Sequence, residues 1–193
     1  MHSKTLLNLI KTRRSVRKYK SKPVPKKYIE QVIEAARWAP SAVNKQPWKF
    51  VIVTNKEKRK AIGDYAKFYY LINKHVAQAP VIIVICANTQ SNKWSKIDCG
   101  LASQNLLLQA HALGLGACFV GAVNEKKIKE ALNIPEELNV IGLITLGYPK
   151  DKTKAPDRKP LEEIAFYNEY SHKRSSMLKS GITSLIKKQI KRS

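Results

Sequence analysis

The residues with the clearest chemical potential come early: Arg13, Arg14 and Arg17, with the Ser15 hydroxyl between them. Guanidiniums and a hydroxyl at this spacing can clamp a phosphate through bidentate, charge-assisted hydrogen bonds. On their own they read equally as a solvated basic face, which most basic runs are. A second segment adds to them. Residues 39–48 (APSAVNKQPW) combine small side chains, which let a flat ligand approach the backbone, with the Asn44 and Gln46 amides, which can bond its edge. Alone, this stretch is a turn with two prolines.

Other familiar signatures are missing. There is no GxSxG, GxxxxGK[ST] or GxGxxG, and no pair of carboxylates placed to flank a cleft. Gly114-Leu115-Gly116 lacks a third glycine and follows a helical pattern, so it reads as a C-cap and turn. Cys86, Cys99 and Cys118 are widely spaced with no CxxC and no adjoining histidine, and read as reduced, buried thiols. His2, His75, His111 and His172 show no metal-ligand spacing, so no metal is expected. The chain offers anion and edge recognition and does not advertise an acid, base or nucleophile of its own.

The elements that must position these residues alternate between strand and helix. Ser3 can cap a short helix with Leu6, Leu9 and Ile10 on one face, and Pro25 opens a second with Ile29, Val32, Ile33 and Ala36 at helical spacing. Residues 48–54 read as a strand and 56–76 as two helical pieces bearing the aromatic cluster Tyr65, Phe68, Tyr69 and Tyr70. Residues 81–87 (VIIVICA) read as a strand buried on both faces. Residues 98–113 read as a central helix capped by Asp98 and closed by Gly114, 117–120 as a short strand, 124–132 as a helix capped by Asn124, and 139–147 as another buried strand. Trp38 and Trp48 read as packing residues. The expectation is an α+β fold with a central mixed β-sheet flanked by helices, occupying residues 1–170. A basic amphipathic tail follows at 171–193, with Leu178, Ile182, Leu185, Ile186 and Ile190 on one face.

Charge is uneven. Of 193 residues, 36 are Lys or Arg and 14 Asp or Glu, a net +22. The first 60 residues carry +14, residues 61–170 only +1, and residues 171–193 +7. No RNA- or DNA-binding motif accompanies the excess, so a nucleic-acid or anionic-surface binder is the lesser reading. The tail reads as an arm packed on a partner subunit rather than as a membrane contact. The longest apolar run is too short to span a bilayer and the N-terminus is unlike a signal peptide, which points to a cytoplasmic protein.

Arg-Arg-Ser-Val-Arg-Lys-Tyr at 13–19, followed by Ala-Pro-Ser-Ala-Val-Asn-Lys-Gln-Pro-Trp at 39–48, resembles the nitroreductase family of FMN-dependent oxidoreductases. Asp98-Cys99-Gly100, the segments 112–121 and 141–149, and Arg158 are similar to family segments in the same order. The resemblance implies an intertwined homodimer with FMN at the interface. It further implies hydride transfer from NADH or NADPH through flavin N5 to nitroaromatic, quinone or related acceptors by a ping-pong mechanism. A reductive dehalogenase or flavin-degrading enzyme of the same fold is the alternative. Carried over, Arg13, Ser15 and Arg158 would bind the phosphate with Arg14 alongside, and Arg17 would approach N1 and the C2 carbonyl. Pro40, Ser41, Ala42 and Asn44 would come from the partner, and Val120 and Gly121 would pass near N5. The polar ring contact would fall on Asn73 or His75, with Asn73 preferred. Val43 stands where many members have glycine, which narrows the backbone choices there.

Overall fold

A computed structural model of the chain describes residues 3–68, 71–73, 75–90 and 92–170. In chain order the elements are α1 (Ser3–Thr12), α2 (Lys26–Arg37), a 3-10 turn (Ala42–Asn44), β1 (Lys49–Val53), α3 (Lys56–Tyr65), β2 (Lys67–Phe68), β3 (Leu71–Ile72), α4 (His75–Gln78), β4 (Val81–Ala87), α5 (Ser95–Ala112), β5 (Gly116–Val120), α6 (Glu125–Leu132), β6 (Asn139–Gly147) and a second 3-10 turn (Leu161–Glu163). The chain divides into two units, Met1–Lys154 and Ala155–Ser193. The first holds the sheet; the second carries the Leu161–Glu163 turn and Arg158. Tyr69, Tyr70 and the basic tail at 171–193 lie outside the described residues.

Every residue of β4 is buried, and the strand period of two shows why. Val81, Ile83, Ile85 and Ala87 join an apolar cluster with Ile29, Val32 and Ala36 of α2 and Cys99, Ala102, Leu106 and Ala110 of α5. Ile82, Val84 and Cys86 join the cluster on the other face, with Ile62 of α3, Val76 of α4 and Ile128 of α6. Helices cover both faces, so no position of this strand can be polar without burying an unpaired group.

The sheet order is β1-β4-β6-β5 and every pairing between these strands is antiparallel. The α+β sheet is therefore antiparallel rather than mixed, because its neighbouring strands all run in opposite directions; among the described residues a parallel bridge joins Ser15 to Ala117 beside its β5 edge.

Three local expectations change. α5 starts at Ser95 rather than at Asp98, with Trp94 at the N-cap, which leaves the Asp98 carboxylate available for a tertiary contact. Residues 56–76 are not two helical pieces alone: β2 and β3 form a hairpin between α3 and α4, with the Asn73 N–H donating to the Ala66 carbonyl at 3.0 Å. The short paired segments suit β-branched and aromatic residues better than a continued helix does. Trp48 is buried, but Trp38 is 74% exposed; its indole N–H donates to Glu34 Oε1 at 2.7 Å, outside the core. Gly114 does close α5 as expected, at φ 72°, a conformation that a Cβ disfavours. Among the described residues, no helix is long and apolar enough to cross a membrane.

Candidate functional site

The Arg13–Arg17 segment is tied down at both ends. The Thr12 hydroxyl lies 2.9 Å from His111 Nε2, joining the end of α1 to the last turn of α5. Ser15 then bridges Ala117, and the Val16 N–H donates to the Ala117 carbonyl at 3.0 Å. Val16 lies so close over Gly116 that a Cβ there would come 2.7 Å from its side chain, so a residue without a side chain is needed at the start of β5.

Anchored this way, the cations of the segment part company. Arg14 and Val16 line a cavity of about 400 Å³ with Thr12, His111, Leu115 and Lys152, and Arg14 spends its Nη1 on the Lys11 and Arg13 carbonyls, both at 2.7 Å. Ser15, Arg17 and Arg13 act instead on the Cys118 thiol: burial pushes it up, while Arg17, the Ser15 hydrogen bond and Arg13 pull against that. Arg13 and Arg17 have no carboxylate and no hydrogen-bond acceptor among the described residues. Two unpaired guanidiniums beside a hydroxyl are a ready anion site.

The same edge leads to the other end of β5. Val120 is buried, and a Cβ on Gly121 would meet only Phe119 Cε1 at 3.5 Å, so the protein's own packing does not demand glycine there. The Asn73 amide donates to the Ala122 carbonyl at 3.4 Å. His75, half-buried, carries an Nε2 that is buried and unpaired; burial, and then the positive field of Arg17, hold the ring below its ordinary pKa and therefore neutral. Arg13, Ser15, Arg17, Asn73, Val120 and Gly121 thus share one edge of the sheet.

Pro40, Ser41, Ala42 and Asn44 are elsewhere. The Ala42 N–H donates to Asp98 Oδ1 at 3.2 Å, which fixes this loop to the first turn of α5. Inside the loop the Gln46 N–H donates to Ser41 Oγ at 2.9 Å, and the Gln46 amide donates to the Asn44 carbonyl and to Asn44 Oδ1, both at 3.2 Å. Val43, Asn44 and Gln46 all have left-handed backbones, at φ 52°, 54° and 47°. Asp98 and His111 are 13 positions apart on one helix, about 20 Å at 1.5 Å per residue. The loop and the Arg13–Arg17 segment are therefore held at opposite ends of α5 within a single chain. Arg158 belongs to the second unit.

Asp98 is the residue whose role the sequence hid. An acid at an apparent helix start reads as a cap; it is instead a buried carboxylate, 3% exposed, that reaches across 56 positions to a backbone amide.

The profile of the nitroreductase family matches this chain over residues 10–68 and 66–148. The chain belongs to the nitroreductase family. A protein of Methanothermobacter thermautotrophicus that carries the provisional name NADH dehydrogenase/NAD(P)H nitroreductase is 37% identical over 171 residues, covering 82% of this chain and 87% of that one. FMN reductase [NAD(P)H] of Bacillus subtilis is 28% identical over 180 residues, covering 81% and 71%. Among solved structures, an FMN-dependent nitroreductase from Clostridium difficile superposes with a TM-score of 0.78 at 29% identity, covering 85% of this chain and 99% of that one. The first matched stretch contains both segments singled out above, residues 13–17 and 39–48.

Proposed function

We propose that this chain is an FMN-dependent oxidoreductase that takes reducing equivalents from NAD(P)H and delivers them to small acceptors such as nitroaromatics or quinones, working as a homodimer. The observation that carries the reading is the pair of guanidiniums, Arg13 and Arg17, which have no partner among the described residues and flank the Ser15 hydroxyl on a strand edge that ends at an open glycine. From Ala117, opposite Ser15, to Val120 the strand runs about 10 Å, which puts an anion clamp and a flat, open backbone surface within reach of one ligand. The donor set fits FMN: two guanidiniums and a hydroxyl suit a phosphate, and the flavin would bring the redox chemistry itself.

FMN, when bound, would supply the two-electron step, taking hydride at N5 in one half-reaction and giving it up in the next. The protein's part is binding and electrostatics. Arg13 and Ser15 would hold the phosphate. Arg17 would sit by the pyrimidine edge, where its positive charge favours electron uptake. The Val120–Gly121 backbone would lie under the reacting face, where a side chain would block close approach. Arg14, turned into the other cavity, would steady the segment through its carbonyl contacts.

The homodimer reading is supported by the length of α5. One chain cannot bring the Pro40–Asn44 loop to its own Arg13–Arg17 segment across about 20 Å. A two-fold arrangement with the α5 helices side by side would set each loop against the other subunit's cations. Trp94, Ile97 and Leu101 form an exposed apolar stripe on α5, as such contact requires. The test is direct: purified protein should carry a flavin absorbance that NADH or NADPH bleaches without oxygen, and should sediment as a dimer. Colourless protein that cannot be reconstituted with FMN would overturn the reading.

A further inference from the structure

The flavin reading gives Arg13, Arg14 and Arg17 a role and leaves most of the basic residues of the first 60 without one. Three of these converge elsewhere. A cavity of about 490 Å³ opens beside the start of β4, walled by parts of the stretches 21–24, 54–59 and 78–81. Those stretches hold Lys22, Lys56, Lys58 and Arg59 against one acid, Glu57, and the charged side chains that line the cavity are Lys22, Lys56 and Arg59. None of the three forms an ion pair among the described residues. Arg59 is fixed in place by backbone: its Nε donates to the Thr54 carbonyl at 3.1 Å and its Nη1 to the Ala79 carbonyl, and its Nη2 has no acceptor among the described residues. Lys22 is held with its Nζ 4.5 Å over the Tyr148 ring. The apolar wall is as firmly set, because Val24 and Val81 belong to the α2–α5 cluster and Pro80 packs so close on Gly147 that a Cβ there would come 2.6 Å from it. This is not the Arg13–Arg17 clamp. Ala117, which Ser15 bridges, and Val81 pair with Leu146 from opposite sides, so Ser15 and the cavity stand three strand spacings apart, about 14 Å.

We infer that this cavity is a second anion site, separate from the flavin site, and that it takes a compact organic diphosphate. A guanidinium already oriented by two carbonyls gives up little freedom when it meets a phosphate, and its planar edge suits the oxygens of one. Lys22 and Lys56 add two charges on other walls of the same space, and like charges around one cavity are relieved by an anion that reaches all of them. A diphosphate has the negative charge and the span to do so; a monoanion does not. A bare ion would leave most of the volume empty, and the space is of the size of small-molecule sites. Val24, Pro80 and Val81 offer an apolar wall, and Thr54 and Gln78 neutral polar groups, a mixture that suits a sugar or nucleoside body attached to the diphosphate. The site is independent of the flavin reading, since it uses no residue of the Arg13–Arg17 segment.

The experiment is isothermal titration calorimetry of the full chain at about 0.15 M salt, with uridine diphosphate, inorganic pyrophosphate and uridine as probes. Uridine diphosphate should bind at least about threefold more tightly than pyrophosphate, through the contacts of its body, and uridine alone should give no heat. Replacing both cavity lysines (Lys22→Ala with Lys56→Ala) should weaken uridine diphosphate at least about tenfold. Both side chains are exposed, so this double variant should melt with the wild type. Lys27→Ala with Lys58→Ala removes the same charge outside the cavity and should leave the affinity within about twofold. Equal weakening by the two pairs would mean diffuse surface charge, and loss of binding in Arg13→Gln with the cavity pair unaffected would put the probe in the other anion site. Either result overturns the inference, as does a wild type that gives no heat with uridine diphosphate or binds pyrophosphate as tightly.

Discussion

Val43→Gly should stabilise this protein, although it deletes a whole side chain. Val43 holds a left-handed backbone (φ 52°, ψ 30°) and is 90% exposed. Left-handed backbone costs a residue with a Cβ about 1–2 kcal/mol, and β-branching places valine at the upper end. Little apolar burial is lost on truncation, because little exists. Against the relief stands the extra freedom glycine gains in the unfolded chain, about 0.5–1 kcal/mol. The balance favours the variant by about 0.5–1 kcal/mol, or roughly 1–4 °C in Tm for a chain of this size. Val43→Asn, which tolerates the left-handed region, should gain a smaller part of this. The assay is thermal unfolding followed by circular dichroism at two protein concentrations 100-fold apart. The second concentration separates backbone strain from subunit contact, since a valine covered by a second copy would make the mutational effect depend on concentration. A concentration-independent loss of Tm in Val43→Gly would refute the strain argument.

Gly121→Ala should melt within about 0.5 kcal/mol of wild type, because its Cβ would meet only Phe119 at ordinary contact distance, yet it should bind FMN at least tenfold more weakly in equilibrium dialysis. Asp98→Ala should cost about 1–2 kcal/mol in urea unfolding by removing the acceptor of the Ala42 N–H, and should raise proteolytic cutting within residues 41–46. Burial pushes Cys86 up to about 11 and Cys99 up to about 12, so neither should react with iodoacetamide at pH 8 in the native protein. The same shifts make stability fall with rising pH: below 9 both states keep the thiol proton, whereas between 9 and about 11–12 only the unfolded chain releases it. Urea midpoints measured from pH 8 to 10.5 should decline, and Cys99→Ala should flatten the decline.

Local patterns were legible where one contact range decides them. The run at 81–87 is uniformly apolar because both of its faces meet helices, and a reader of the sequence can see that without knowing which helices. Asn124 and Gly114 act where short-range geometry puts them, at a helix start and a helix end. The hairpin between α3 and α4 was not legible, since two-residue strands give no period to read. Trp38 was misplaced because a large aromatic after an amphipathic helix usually packs inward, whereas its indole pairs with Glu34 one turn back.

What the sequence determined by itself is the set of chemical possibilities: cations and a hydroxyl at 13–17, a polar loop at 39–48 and a doubly buried strand, without a GxSxG, GxxxxGK[ST] or GxGxxG signature. These follow from residue type and short spacing alone. Only the tertiary structure decided how they are shared out. It turned Arg14 away from Arg13 and Arg17, sent the Asp98 carboxylate to the Ala42 amide, left His75 Nε2 unpaired, and set the loop about 20 Å of helix from the cations. The physical reason is that a side chain's partner is fixed by what lies next to it in space, and here those neighbours come from 56 or 99 positions away along the chain.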